Sequence, residues 1–343
     1  MKVLMFSSDP KLREGKSGVS RRIQEYREKL ERLDVILLDR SRGRLSRFWK
    51  GYFEARELLK RYRHDLVTAQ EIEHSFLAWL LSRKFKIPWQ MQIHTDVFSP
   101  YFVQSSVLNI FRVWLAKFLI PRASCVRVVS ERIRRSIVSR FMLHDSRIKV
   151  LPIFSLKKES GGSANLREQY PGYDFYILMA SRLTHEKNIP LALEAVRELS
   201  KKYPKTLLVI VGSGLLVRYI EPDENIKLEG WRDELGGYYR GADVFLLTSN
   251  YEGYGMAAAE ALQYGLPVIM TDVGVAGEIV KSGVNGLIVP VGDKNALVQA
   301  LEKLYKDKEL RARLSQNACN VKMQTEEEYL KLYIESLKKC LAR

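Results

Sequence analysis

Apolar positions along this chain follow two alternating periods. Short continuous runs rich in β-branched and aromatic residues read as buried strands. In the first half they are Val3 to Phe6, Val35 to Leu38, Leu66 to Ala69, Trp89 to Ile93, Cys125 to Val129 and Ile148 to Leu151. In the second half they are Phe175 to Ala180, Leu207 to Val211, Val244 to Leu247 and Val268 to Met270. Between them lie segments with the three-to-four spacing of helices: Arg21 to Arg32, Arg40 to Arg63, Tyr101 to Arg122, a helix opened by Ser130, one opened by Ile189-Pro190, and Met256 to Tyr264. Strands alternating with helices predict parallel, doubly wound sheets, an α/β fold. The polar run Lys157-Lys-Glu-Ser-Gly-Gly-Ser has linker composition, so a second domain is expected from about Tyr173. The expected division is 1–155, a linker at 156–172, and 173–324.

Two of the helical segments are both aromatic and basic. In the first, Phe48, Tyr52, Ala55, Leu59 and Tyr62 share one face, with Arg47, Lys50, Arg56, Lys60 and Arg63 mostly off it. In the second, Val107, Phe111, Trp114 and Phe118 form a stripe, with Arg112, Lys117 and Arg122 nearby. Such stripes either pack on a sheet or lie on anionic lipid. Charge sharpens the choice. The 343 residues carry a net +16, and residues 1–160 alone hold 33 Lys and Arg against 16 Asp and Glu, so the excess is confined to the first half. That half is expected to meet a polyanion, and an anionic membrane surface or an anionic acceptor fits better than nucleic acid, for which no recognition motif is present. The three scattered cysteines, Cys125, Cys319 and Cys340, and the short apolar core of the first strand predict a reduced, cytoplasmic setting, with peripheral membrane contact at most.

The richest chemistry lies between Asp243 and Pro290. There a strand leads through Tyr251-Glu-Gly-Tyr-Gly255 into the helix from Met256. The amides of Gly255, Met256 and Ala257 would face an anion, and Gly253 and Gly255 would let backbone approach it. Glu252 and Glu260, unsuited to phosphate, are suited to sugar hydroxyls. Arg182 and Lys187, in the turn after the Phe175 strand, supply fixed positive charge where a diphosphate would leave, and the chain has no Asp-x-Asp metal motif.

Glu252 and Glu260, with seven residues between them, resemble the Glu-x7-Glu signature of retaining glycosyltransferases with the two-Rossmann (GT-B) fold. Ala180-Ser-Arg-Leu-Thr-His-Glu-Lys-Asn188 resembles that family's diphosphate clamp, Val211-Gly-Ser-Gly214 its next glycine turn, and Leu228-Glu-Gly-Trp231 the block before its nucleotide strand. The resemblance implies two Rossmann-like domains facing across a cleft, with the helix 325–343 returning to the first. It implies a donor nucleoside-diphosphate sugar held by Gly18, Arg182, Lys187, Gly212, Gly214, Leu228, Gly253, Tyr254, Gly255, Met256, Ala257 and Glu260, with no cofactor and no metal. His94, just past the fourth strand, would lie beside the donor sugar as a catalytic group with Glu252, Arg182 and Lys187, and Asp96 would touch a lipid-linked or saccharide acceptor. Where relatives carry two adjacent glycines, this chain has Ser17-Gly18. Nucleotide-sugar 2-epimerases share the architecture, and a non-catalytic nucleotide-sugar binder remains a further alternative.

Overall fold

A computed structural model describes residues 1–15, 17–38, 44–154 and 165–342. The chain forms two compact units, Met1–Phe154 with Gln324–Arg343, and Ser155–Met323. In the first unit the strands are β1 (Lys2–Ser7), β2 (Arg32–Leu37), β3 (Leu66–Gln70), β4 (Trp89–Ile93), β5 (Cys125–Val128) and β6 (Ile148–Val150), in spatial order β2-β1-β3-β4-β5-β6. In the second they are β7 (Phe175–Ala180), β8 (Thr206–Val211), β9 (Ile226–Gly230), β10 (Val244–Leu247), β11 (Val268–Thr271) and β12 (Gly286–Val289), in order β12-β11-β10-β7-β8-β9. Neighbouring strands run parallel throughout both sheets. Helical crossovers are what connect parallel strands, and they cover the faces, which is why the central strands are apolar at nearly every position.

The second unit buries an aliphatic core. Ile177, Met179, Leu208, Ile210 and Leu246 from the sheet meet Leu193, Val196 and Leu199 of helix Ile189–Lys202 and Leu297, Leu301 and Leu304 of helix Lys294–Lys306. At the first unit, helix Glu326–Leu341 returns to the sheet, its start fixed by a capping box between Thr325 and Glu328. Tyr329, Leu330, Tyr333, Leu337 and Cys340 join the first unit's core, and Tyr333 stacks on Tyr26 at 4.2 Å. Beneath this helix the sheet is polar: Gln92 Nε2 donates to Thr68 Oγ1 (2.8 Å) and to Tyr333 OH (3.2 Å), and Gln90 Nε2 donates to the Ser336 carbonyl (3.1 Å). The β4–β5 register sets Gln92 beside Arg127, and Arg127 Nη1 donates to Gln92 Oε1 (2.9 Å).

Two expectations change and one open alternative is narrowed. The stripe on helix Val107–Leu119 does not pack as a whole. Val107, Phe111 and Trp114 are 82%, 59% and 72% exposed, and Asn109, Ala116 and Leu119 face inward instead. Asn109 wins the inner face because its amide donates to the Phe102 carbonyl (2.9 Å) of the preceding helix, and small Ala116 lets the helix lie close on helix Ile72–Phe85. On helix Arg44–Arg61, by contrast, Ala55 and Leu59 of the predicted stripe are buried, while Trp49 and Phe53, outside it, are exposed. The segment 165–172 is not a spacer: Leu166 of helix Leu166–Gln169 is fully buried in the second unit, so close to Gly241 that a Cβ there would lie 3.0 Å from its own. Two of the cysteines are not scattered in space. Cys125 of β5 and Cys340 of the returning helix are paired as a disulfide, with Cα atoms 5.3 Å apart, because the helix carries position 340 across the sheet.

Candidate functional site

The predicted residues of the second unit gather at the carboxyl ends of its strands, where parallel sheets present ligand sites. After β7, Arg182 projects outward, with its Nη2 3.3 Å from Glu186 Oε1. Lys187 Nζ donates to Glu252 Oε1, and both side chains are nearly buried, at 13% and 12%. Ser249 Oγ donates to the same carboxylate oxygen at 2.7 Å. The two loops that bring this pair together are stitched through backbone: Thr248 Oγ1 donates to the carbonyls of Lys187 (2.9 Å) and Asn188 (3.1 Å), and the Asn250 amide donates to the Glu186 carbonyl (2.8 Å). Glu252 Oε2 and two of the three ammonium protons of Lys187 have no partner among the described residues.

Helix Met256–Gln263 begins at Gly255, which has φ 94° and offers no side-chain cap. The amides of Met256 and Ala257 therefore point outward without an acceptor among the described residues. Gly253, buried Tyr254 and Gly255 form the turn before this helix, and the turn is held from one side by the Val275 amide, which donates to the Tyr254 carbonyl at 2.9 Å. Burial, with Glu278 adding to it, pushes the Tyr254 phenol well above its ordinary value, so it stays a neutral donor. Glu260 lies one turn into the helix and accepts from the hydroxyl of buried Tyr239 at 3.3 Å. Gly212 and Gly214 answer a packing demand: a Cβ on Gly212 would sit 1.8 Å from the Ser181 carbonyl oxygen, and one on Gly214 2.4 Å from that of Leu183. These glycines let the turn after β8 lie against the turn bearing Arg182. Leu228, in β9, packs its side chain on the second unit's core.

His94, Asp96 and Gly18 belong to the first unit. Gly18 opens helix Gly18–Lys29, whose N-terminus is capped by Ser17 Oγ, accepting from the Ser20 amide at 3.1 Å. A Cβ on Gly18 would meet nothing within 4 Å. His94 follows β4, and its Nε2 is shielded from water without a partner. Burial, then the nearby cations Arg127 and Arg22, press its pKa down to about 3, so the ring is neutral at physiological pH. Asp96 is pushed above its ordinary carboxyl value by burial, against the opposing pull of the Phe98 and Ser99 amides.

Sequence reasoning did not single out Ser249, Asn188 or Thr248, which fix the Lys187–Glu252 pair, nor Arg127 and Arg22, which add to burial in keeping His94 neutral. One signal was present: Arg127 interrupts an otherwise apolar run, Cys125-Val-Arg-Val-Val, inside a strand.

Comparison with known proteins gives this geometry a context. Residues 165–321 match the family described as Glycosyl transferases group 1, and residues 10–153 match the Glycosyl transferase 4-like domain. The alpha-D-kanosaminyltransferase of Streptomyces kanamyceticus is 25% identical over 71% of this chain and 68% of its own length. The UDP-Gal:alpha-D-GlcNAc-diphosphoundecaprenol alpha-1,3-galactosyltransferase of Escherichia coli is 25% identical over 79% and 74%. Among solved structures, the sucrose-phosphate synthase from Thermosynechococcus elongatus superposes with a TM-score of 0.81 at 21% identity, covering 100% of this chain and 99% of that one.

Proposed function

We propose that this chain, matched by two glycosyltransferase family models over most of its length, takes a sugar from a nucleotide-sugar donor and transfers it with retention, without a metal, to a lipid-linked or cell-envelope saccharide. The donor is held by the second unit and the acceptor by the first. The observation that carries this reading is the uncapped start of helix Met256–Gln263 beside the Lys187–Glu252 pair. Outward amides and the helix dipole favour a diphosphate, and Lys187 keeps two donors for its oxygens while Glu252 keeps one carboxylate oxygen for sugar hydroxyls.

As the bond to the leaving diphosphate breaks, negative charge grows on the phosphate oxygen, and Arg182, Lys187 and the helix start meet it with fixed positive charge. With the free oxygen of Glu252 engaged on donor-sugar hydroxyls, the leaving phosphate itself takes the acceptor proton as the acceptor attacks from the same face. His94, neutral, donates or accepts a hydrogen bond to a sugar hydroxyl, and Asp96 contacts the acceptor. The names of both relatives specify alpha sugars, which favours retention.

The lipid side of the reading rests on the exposed Val107, Phe111 and Trp114 and on Trp49 and Phe53, set in the basic half of the chain. Among the described residues no helix is long and apolar enough to cross a membrane, so contact would be at the surface, with aromatic side chains at headgroup depth and Lys and Arg on anionic lipid. The test is thermal unfolding against UDP, GDP and ADP and their sugar conjugates, each with and without EDTA. A ligand at 100 times its dissociation constant adds about 2.7 kcal/mol. A shift for one nucleotide series that EDTA leaves unchanged supports the reading. A shift abolished by EDTA sinks the metal-free part, and no shift with any of them sinks the donor site.

A further inference from the structure

One feature of the first unit is left unused by this mechanism: a buried arginine without a counter-charge. Arg127 is 2% exposed. Its Nη atoms donate to Gln92 Oε1, to the carbonyls of Leu151 (3.2 Å) and Pro152 (3.3 Å) and to Tyr329 OH (3.1 Å), and its Nε has no partner. No carboxylate forms an ion pair with it among the described residues, although a buried charge is costly unless it is paired. Beside it is a cavity of about 40 Å³, lined by Arg127, Arg22, His94, Tyr26 and Tyr329 at the carboxyl edge of the first sheet. Arg22 has no ion pair among the described residues, and the unpartnered Nε2 of His94 belongs to the same wall. One carboxylate reaches the lining, that of Asp9, and it is engaged by the Lys11 amide at 3.0 Å.

Two guanidiniums, phenol hydroxyls and a neutral imidazole converging on a small polar space form an oxyanion receptor. A single water needs at least roughly 10–15 Å³ of such space, so a cavity of about 40 Å³ has room for several polar atoms. Tyr329 offers an internal alternative. Burial raises its phenol, but Arg127 and then Arg22 outweigh that and bring it below its ordinary value, so a tyrosinate could balance the arginine. A tyrosinate would leave the cavity itself and the unpartnered Nε2 of His94 unexplained. We propose that this cavity is an anion site that takes a phosphate-type oxyanion of the acceptor, held by Arg22 and Arg127 next to His94. The inference deepens the acceptor side of the proposed function and rests on it. The phosphate belongs either to a soluble sugar phosphate or to the phosphate ester of a lipid carrier, and the chemistry recognised is the same.

The experiment uses the full chain and follows thermal unfolding in inorganic phosphate at constant ionic strength, with chloride as control. Wild type, Arg22→Gln and Arg127→Gln are compared, and UDP is titrated in parallel. Phosphate is expected to protect wild type, and Arg22→Gln, a half-buried helix position, to need at least tenfold more phosphate for the same shift while its UDP response is unchanged. Arg22→Gln keeps the proposal testable should Arg127→Gln fail to fold. Competition then assigns the source: displacement by a hexose phosphate points to a soluble acceptor, and displacement by a polyprenyl phosphate in detergent to a lipid one. Equal protection of wild type and Arg22→Gln, or none of either, overturns the proposal. So does a tyrosinate absorbance near neutral pH that Tyr329→Phe removes, with no phosphate effect. Phosphate protection without any nucleotide response would count against the donor site and leave the anion site standing.

Discussion

The two sheets have six parallel strands each, yet they carry their polar chemistry in different places. In the second unit the buried sheet residues are hydrophobic apart from Thr206 and Thr271, and the charged groups stand in the loops after β7 and β10, held by backbone hydrogen bonds. In the first unit the polarity enters the sheet itself, through Thr68, Gln90, Gln92 and Arg127, and is completed by tyrosines from helices at the two ends of the chain. Loop chemistry on a rigid sheet suits a ligand met by every turnover of the same kind, such as a nucleotide. Chemistry buried within a sheet suits a fixed, selective receptor, because each buried polar group must be satisfied.

The largest expected effect tests the loop half of this contrast. Lys187→Ala should lower turnover by roughly a hundredfold or more, the loss of one transition-state contact. It also leaves Glu252 with only Ser249 as a donor, so donor affinity should fall as well. Single-turnover transfer with saturating donor separates the two, and near-normal turnover would remove Lys187 from the clamp.

A pair of glycines sharpens the comparison at the level of stability. Gly212→Ala drives a methyl into the Ser181 carbonyl and should cost the second unit about 2–4 kcal/mol. Gly18→Ala meets open space and should change stability by less than about 0.5 kcal/mol. Chemical denaturation read at each unit's own transition checks both. A smaller cost at Gly212 than at Gly18 would mean that the turn after β8 is not packed as described.

These two glycines also show what was legible beforehand. Ten of the twelve strands, the helix from Met256 and its glycine stop at Gly265 were readable because each depends on local periodicity and caps, whereas the order of the strands in each sheet was not. The pairing of Lys187 with Glu252 was not, because 65 residues separate them and only folding sets the distance. Nor was the outward turn of Phe111 and Trp114: their spacing is that of a buried stripe, and the inner face went to Asn109 through a hydrogen bond that periodicity does not record. Arg127 was passed over inside an otherwise apolar strand, and its meaning comes from Tyr26 and Tyr329, brought from opposite ends of the chain.

The exposed aromatics give the next effect in size. Trp114→Ser should weaken binding to anionic vesicles about tenfold, a change of about 1.4 kcal/mol, and should leave stability within about 0.5 kcal/mol because the side chain is already in water. Sedimentation with vesicles against matched neutral ones checks it. Equal binding by wild type and variant would return this face to ordinary surface.

The last effect, absent at neutral pH, concerns the charge environment that sets the first unit apart. His94 holds its pKa near 3, while an unfolded histidine titrates near 6.5. Above pH 6.5 both states are neutral and the difference contributes nothing. As pH falls below that value the unfolded chain takes up a proton that the folded ring refuses, so stability declines from about pH 6.5 down toward 3. His94→Gln removes this contribution and should make the slope of stability against pH shallower by up to one proton over that range, with no change above it. Urea denaturation at steps between pH 4.5 and 7.5 measures the slope directly. Identical slopes in wild type and variant would mean that the folded ring accepts its proton as freely as the unfolded one. The cationic wall formed by Arg22 and Arg127 would then not be felt at His94, and the first sheet's interior would be less different from the second's than its residues imply.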